Sequence, residues 1–416
     1  MLGDFTCEGT RVPICVAYRK IMLHFSFFCV TMKMISGKLH FCEKIWPFFV
    51  LQGFTRSQKK CSLEVFYVSF VCEVLKMACI DPLVALLDHR VADRPHTISP
   101  VKIFSKSKTY LGLSARQYRD ELVKGSRYLE ALDIPCGQCF ECRLAQSREW
   151  ANRLVFEAKT AKSALFLTLT YDDDHLPHSD QGFPTLKPED LRAFNKALTQ
   201  YISRKFGERS PRYFECGEYG SQTLRPHYHS IHFNLDPAWL DLQPYKCNFR
   251  GDPFYKSEVL TNLWGKGFVV VGKCTWDTCA YVARYVTKKL TGDLNDKRFE
   301  ATGCVQEFTR MSNRPGIGAK FFEDHKDMIY GSDGGYVYVP SKKYPKAKSP
   351  RYFDKLFGLI DEQVLKKIKV DRSTMEQEKH WFTLDQCGWT EDFYNELIRS
   401  GVDTKRKKLN RRSMEV

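Results

Sequence analysis

The sequence contains no Gly-x-x-x-x-Gly-Lys-Ser/Thr segment, so nothing in its 416 residues marks a P-loop or nucleotide-driven strand separation. It has no apolar run of the ~20 residues that a bilayer crossing requires; charges interrupt each clump, and no membrane partner is expected. No internal repeat is present. The sixteen cysteines lack a regular framework and no cleavable signal peptide is read at the start, so reduced thiols in a cytosol are expected, with one close-spaced group as a candidate metal site. Acidic residues are outnumbered, 49 against 64 Lys and Arg, and the net charge of +15 favours a polyanionic partner.

A chain of this length has room for one substantial core with appended pieces. Four segments are expected. Residues 1–76 carry six of the cysteines and thirteen aromatics, in clumps such as Phe25-Ser26-Phe27-Phe28 and Trp46-Pro47-Phe48-Phe49, with no sustained helical or strand period. They are read as an N-terminal extension of uncertain standing. It is either an upstream translation ahead of a functional start at Met77 or a membrane-associating or partner-binding addition. Residues 77–163 form a segment with a cysteine cluster and a helix, 164–292 the central domain, and 293–416 a basic region and tail.

Within the middle of the chain the spacing predicts a helix over 143–162 and a buried strand over 164–171, closed by the acidic turn Asp172-Asp173-Asp174. A helix follows from Lys187 to about Phe206, with Pro188 tolerated in its first turn. Strands are predicted near 211–217 and 227–234, a short helix near 256–264, a strand over 267–271 and a helix from about Asp277 to Leu290. The order β-α-β-β-α-β-α suits an α+β fold: an antiparallel sheet with helices packed on one side, the ferredoxin-like or split βαβ arrangement. After residue 290 the pattern loosens, then two helical stretches are predicted near 354–369 and 374–399. The like-charge block Lys405 to Arg412 suits contact with phosphate.

Two patterns carry chemistry. In Arg225-Pro226-His227-Tyr228-His229 the alternation of a strand sends His227 and His229 out of one face and Tyr228 out of the other, giving a pair of imidazoles for a divalent cation. A carboxylate usually adds the harder ligand, and Glu215 and Glu218 both lie on the preceding strand and its turn. Parity allows only one to face the histidines, and Gly217 and Gly220 permit a bulge, so alternation alone leaves the choice open. Tyr281 and Tyr285 are one helical turn apart and leave one face of their helix. Each motif taken alone has an ordinary reading, strand histidines or packed tyrosines; together and in this order they are the equipment for breaking a DNA phosphodiester with a tyrosine nucleophile.

The runs Phe166-Leu167-Thr168-Leu169-Thr170-Tyr171, Cys216-Gly217-Glu218-Tyr219-Gly220, Arg225 to His229 and Ala280-Tyr281-Val282-Ala283-Arg284-Tyr285 resemble the successive motifs of HUH-type rolling-circle replication initiators. The likeness is greatest to those of small single-stranded DNA bacteriophages, the microviruses of the gokushovirus type. Pro135 to Arg143 and Arg314-Pro315-Gly316-Ile317-Gly318 also resemble that family, and the likeness covers about residues 77 to 320. It implies an HUH endonuclease domain at 164–292 and a DNA-contacting C-terminal region. His227, His229 and Glu218 would be metal ligands, for Mg or Mn, and Tyr281 and Tyr285 nucleophiles. Lys288 matches a lysine that follows the tyrosine in related initiators. Attack would leave a 5′-phosphotyrosine and a 3′-hydroxyl, and a later reversal would seal a circle. The implied partners are single-stranded and origin DNA with a host helicase and DNA polymerase, in the host bacterial cytoplasm.

Other features stay open at the level of sequence. Cys136, Cys139 and Cys142 could hold a structural zinc, completed by Cys79 or another distant cysteine, or stand as thiols at a helix start. Asp172 to Asp174 read as a metal site or a solvated turn, and the Lys, Arg and Tyr mixture at 342–353 as a single-strand contact or a plain basic loop. A zinc-containing DNA-binding regulator or packaging protein without catalysis is the rival reading, and a relaxase or transposase of the same chemistry the nearer one.

Overall fold

The computed structural model describes residues 32–35, 38–41, 79, 82–92, 101–220, 222–248, 251–285, 299–340, 346–390, 393–394, 396 and 399–401. The chain divides into two units, residues 1–76 with 372–401 and residues 77–371 with 402–416. In the first, β1 (Met32–Ile35) and β2 (Lys38–Phe41) form an antiparallel hairpin with Met32 opposite Phe41. The tail from Lys405 to Arg412 and residues 341–345 of the basic loop lie outside the described residues.

In the second unit, β3 (Leu83–Asp88) is flanked by β4 (Val101–Phe104) and β5 (Leu129–Ile134) in a small antiparallel sheet. Helix α1 (Ala115–Val123) begins at a capping box made by Ser114 and Gln117. Val84, Leu86, Phe104 and Ala115 form the core between this helix and the sheet. Helix α2 (Phe140–Thr160) then leads into the larger sheet.

That sheet is built from β6 (Ala164–Tyr171), β7 (Arg212–Tyr219), β8 (Pro226–Phe233), β9 (Leu242–Cys247), β10 (Pro253–Ser257), β11 (Gly267–Lys273) and β12 (Phe308–Met311). Its order is β12-β7-β8-β6-β11-β10-β9, and each neighbouring pair is antiparallel. The central four strands therefore run β7-β8-β6-β11. Three helices complete this region: α3 (Pro188–Phe206), α4 (Glu258–Trp264) and α5 (Trp276–Ala283). The hairpin β9-β10 and edge strand β12 add to the order expected from sequence. So does the region past 290, which contributes a third core rather than a loose basic stretch.

Helices cover both faces of the sheet, not the one face expected. Leu165, Leu167, Leu169 and Tyr171 turn to one side and bury against Leu191, Phe194, Leu198 and Ile202 of α3 and Leu260 and Trp264 of α4. Phe166 turns to the other side with Phe214, Cys216, Ile231 and Phe233, against Ala151 and Leu154 of α2 and Cys279, Val282 and Ala283 of α5. The physical reason is that these strands are apolar on both alternating sets, and each apolar face must be removed from water. The tyrosine helix thus lies over the face that carries the histidines.

Further along, α6 (Ala319–Asp327), the short pair β13 (Tyr336–Tyr338) and β14 (Lys346–Lys348), α7 (Arg351–Gly358) and the start of α8 (Glu362–Cys387) gather around Phe156 of α2. The motif Arg314 to Gly318 is pinned to α2 and β7. Glu157 pairs with Arg212 at 2.6 Å and accepts from the Gly318 amide, while Arg153 and Arg212 donate to the carbonyls of Ile317 and Pro315. Ile317 is fully buried beside the tyrosine helix, so this motif braces α2 and α5.

Gly217 sits mid-strand in β7, where a Cβ would lie 2.8 Å from the Phe308 ring and 2.9 Å from Leu186 Cδ2. Both neighbours are buried, so Gly217→Ala must displace edge strand β12 or the Leu186 side chain. It should lower stability by about 1–3 kcal/mol. Urea unfolding checks this, and an unchanged midpoint would count against the packing described.

Candidate active site

The site is assembled by strand register. β8 lies between β7 and β6, so His227 stands opposite Glu218 on one neighbour and Thr170 on the other, and His229 opposite Cys216 and Thr168. All these residues leave one face of the sheet. Glu218, three residues beyond Glu215, is on that face. Its Oε1 lies 2.7 Å from His227 Nε2 and 2.9 Å from His229 Nε2. Glu215 turns to the other face, where its Oε2 accepts a 2.7 Å hydrogen bond from Asn195 of α3. The choice that alternation left open is decided by cross-strand pairing, with no bulge between β7 and β8 to alter it.

The outer nitrogens of the histidines fix how the rings present themselves. His227 Nδ1 is 3.1 Å from the Arg225 carbonyl, which can only accept, so Nδ1 carries a proton. His229 Nδ1 lies 3.0 Å from Thr168 Oγ1, and its ring stacks on Phe166 with centroids 5.4 Å apart. Arg225 is itself held by Asp173 at 2.6 Å and by the Tyr171 carbonyl, and Asp172 binds His175. The acidic turn is therefore engaged in local pairing. With His227 neutral, Nε2 turns a lone pair toward the Glu218 carboxylate, a contact between two acceptors that a shared cation relieves. Glu218, His227 and His229 offer ligand atoms within 4.8 Å of one another and are compatible with a metal ion.

Helix α5 delivers the tyrosines. Thr275 and Thr278 form its capping box, each bonding the other's amide, which sets Tyr281 in the second turn. Tyr281 Oη donates to Glu218 Oε1 at 2.8 Å and lies 3.3 Å from His229 Nε2. Tyr285 follows one turn on, buried, its ring centroid 5.5 Å from that of Tyr281 and 6.5 Å from that of His229. Lys288 lies outside the described residues. Thr168 and the Arg225 carbonyl were not singled out from sequence. Thr168 could have been found by aligning the strands on His229, since it shares the parity of Phe166 and Thr170.

Burial opposes charge on Glu218, but the His227 and His229 rings, when protonated and donating to it, hold its carboxyl well below the usual carboxylate range. Burial, reinforced by the Glu218 charge and hydrogen bond, pushes the Tyr281 phenol well above its ordinary value. The phenol thus keeps its proton, directed at Glu218. The three cysteines of the 136–142 run also come together, joined by Cys79, with all four sulfurs within 4.8 Å of one another.

The fold and site define an α+β protein whose antiparallel sheet presents a metal-compatible pair of histidines and a glutamate to a helix-borne tyrosine. A family model described as a replication-associated protein of the ORF2 type matches residues 164–290. The chain is 33% identical over 288 residues to the replication-associated protein ORF2 of Spiroplasma virus 4, covering 69% of this chain and 77% of that protein. It is 32% identical over 261 residues to the replication-associated protein VP4 of Bdellovibrio phage phiMH2K, covering 62% and 76%. To the replication-associated protein ORF4 of Chlamydia phage 1 it is 33% identical over 183 residues, covering 44% and 42%. The chain belongs to this family of phage replication-associated proteins. No solved structure matches it. Among the described residues, no helix is long and apolar enough to cross a membrane.

Glu215 provides a test of the two-faced sheet. Burial pushes its carboxyl up to about 7, against the Asn195 hydrogen bond and the Arg310 charge. The folded state therefore holds this proton more tightly than the unfolded one, and Glu215 lowers stability as pH rises from 4.5 to about 7. The full loss is roughly 3 kcal/mol. Burial holds His232 down to about 4, which removes stability as pH falls from 6.5, but that contribution is common to parent and variant. Glu215→Gln keeps an acceptor for Asn195 and should gain stability over the parent near pH 8 but not near pH 4.5, measured by urea unfolding at both. An equal difference at the two pH values would refute the burial assigned to Glu215.

Proposed function

We propose that the chain is an HUH-type initiator of rolling-circle replication, which cuts single-stranded origin DNA with a tyrosine and later rejoins the displaced strand. The observation that carries this reading is the convergence of His227 Nε2, His229 Nε2 and Tyr281 Oη on one atom, Glu218 Oε1, at 2.7, 2.9 and 2.8 Å, with Tyr281 Oη the donor to it. The strand order β7-β8-β6-β11 supports it, because that order, all antiparallel, is the split βαβ arrangement. Family membership supports a replication role.

The donor set fits a hard divalent ion: two imidazoles whose outer nitrogens are bound elsewhere and one ionised carboxylate, which suits Mg or Mn. When bound, such an ion would polarise the scissile phosphate and offset charge on the transition state. The residues of the chain do the rest. The hydrogen bond to Glu218 fixes the phenol proton of Tyr281 on the carboxylate side and leaves the Oη lone pairs toward an incoming phosphate. Attack forms the Oη–phosphorus bond and breaks the bond to the 3′ oxygen. The phenol proton leaves toward Glu218, the 3′ oxygen takes up a proton, and the products are a 5′-phosphotyrosine and a 3′-hydroxyl. The hydroxyl primes a host polymerase. With no P-loop in the sequence, unwinding falls to a host helicase. Release of a unit circle needs a second transfer, for which Tyr285, one turn along, supplies a second phenol.

Incubation with origin oligonucleotide and Mg or Mn, resolved on a denaturing gel, tests the reading. Tyr281→Phe should lower initial adduct formation more than Tyr285→Phe, both should impair circle release, and the double variant should form no adduct while still binding metal. An adduct from the double variant would exclude both tyrosines. Tight DNA binding without cleavage by the parent protein would favour the non-catalytic regulator instead.

The hydrogen bond from Thr168 to His229 gives an independent check. Thr168→Val keeps the shape but removes the partner of Nδ1, and should cost about 10–100-fold in metal affinity or nicking. Titration of nicking against Mn measures it, and an unshifted curve would mean that Thr168 does not orient the ring.

A further inference from the structure

We propose that Cys79, Cys136, Cys139 and Cys142 form a structural zinc site that clamps the small sheet to the start of α2. Zinc bound by four thiolates at ~2.3 Å in a tetrahedron separates its sulfurs by about 3.8 Å. Cys79 Sγ and Cys139 Sγ are 3.8 Å apart, and all four sulfurs lie within 4.8 Å of one another. That spacing is far from the ~2.05 Å of a disulfide.

Chain topology explains the convergence. β3 pairs with β5 so that Leu83 faces Ile134, which brings Cys79, four residues before the first, beside Cys136, two residues after the second. Gly137 then adopts a left-handed φ of +75°, a conformation that glycine takes readily, and the chain turns back so that Cys139 and Cys142 meet the other two in the first turn of α2. Backbone amides point at the sulfurs: that of Cys136 donates to Cys79 Sγ at 3.3 Å and that of Cys139 to Cys136 Sγ at 3.2 Å. Amide donors stabilise thiolate, the form that binds metal. Four thiolates close the coordination sphere and leave no position for substrate, so the site is structural. Its consequence for the rest of the molecule runs through α2, whose Ala151 and Leu154 pack with α5, the helix of the tyrosines.

This inference stands apart from the nicking reading and is tested without it. The full-length protein, dialysed against EDTA, should retain one zinc per chain by elemental analysis. X-ray absorption at the zinc edge should fit four sulfur neighbours. Replacement by cobalt should give the intense visible bands of tetrahedral thiolate coordination. Cys79→Ser should lose the metal or shift the absorption fit to three sulfurs, whereas the His227→Ala/His229→Ala double variant should keep both zinc and spectrum. Absence of zinc and of cobalt–thiolate bands in the parent protein would overturn the proposal, even if DNA cleavage proceeds. An unchanged four-sulfur fit in Cys79→Ser would remove Cys79 from the site.

Discussion

The site depends on the pairing of β8 with β7 and β6. Side chains on a strand alternate with period two, so a slip of one residue in either pairing would send His227 and His229 to the α3 face or carry Glu218 away from them. The register is held by apolar residues on both faces, Tyr228 and Leu169 on one and Ile231, Phe233 and Phe214 on the other, all fully buried. A slip would expose these together with burying polar groups. The same packing that stabilises the sheet therefore aligns two imidazoles, a carboxylate and a threonine hydroxyl to hydrogen-bonding distances.

The second requirement is a helix across that face. α2 and α5 pack on each other and on Phe166, Phe214 and Cys216, and the loop Arg314 to Gly318 locks α2 through Glu157 and Arg153. Tyr281 is thereby held in a buried setting beside an ionised carboxylate. That setting disfavours the phenolate and favours a hydrogen-bonded phenol. The polar groups at the centre are partnered with one another, as burial requires.

Much of this was legible in the sequence because it rests on local periodicity. Strand alternation and helical spacing placed β6 and α3 and put His227, His229, Tyr281 and Tyr285 near their elements. Glu218 was reached through a resemblance, because the residue spacing could not settle it: the pairing partner of a strand is not written in the strand itself. The β9-β10 hairpin was missed because Pro244 and Pro253 and a largely exposed β9 erase the apolar alternation of a strand; edge strands owe their form to the neighbour they pair with. The C-terminal helices differ from expectation for a similar reason. α7 ends at Gly358 and α8 begins at Glu362, with Asp361 accepting from the Val364 amide, whereas the apolar Leu359 and Ile360 hid that break. The third core is non-local, drawing Phe156 together with residues some 165 to 210 positions later, and no window of sequence displays it.

The central claim is that one buried centre, three donors and a tyrosine, makes a covalent bond to DNA. The most direct measurement is to digest the protein after reaction with a single-stranded origin oligonucleotide and Mn, and to locate the attached nucleotide by mass spectrometry. The account predicts a phosphodiester-linked nucleotide on Tyr281 or Tyr285 and on no other residue. A nucleotide on a different side chain, or DNA cut with no residue modified, would contradict it.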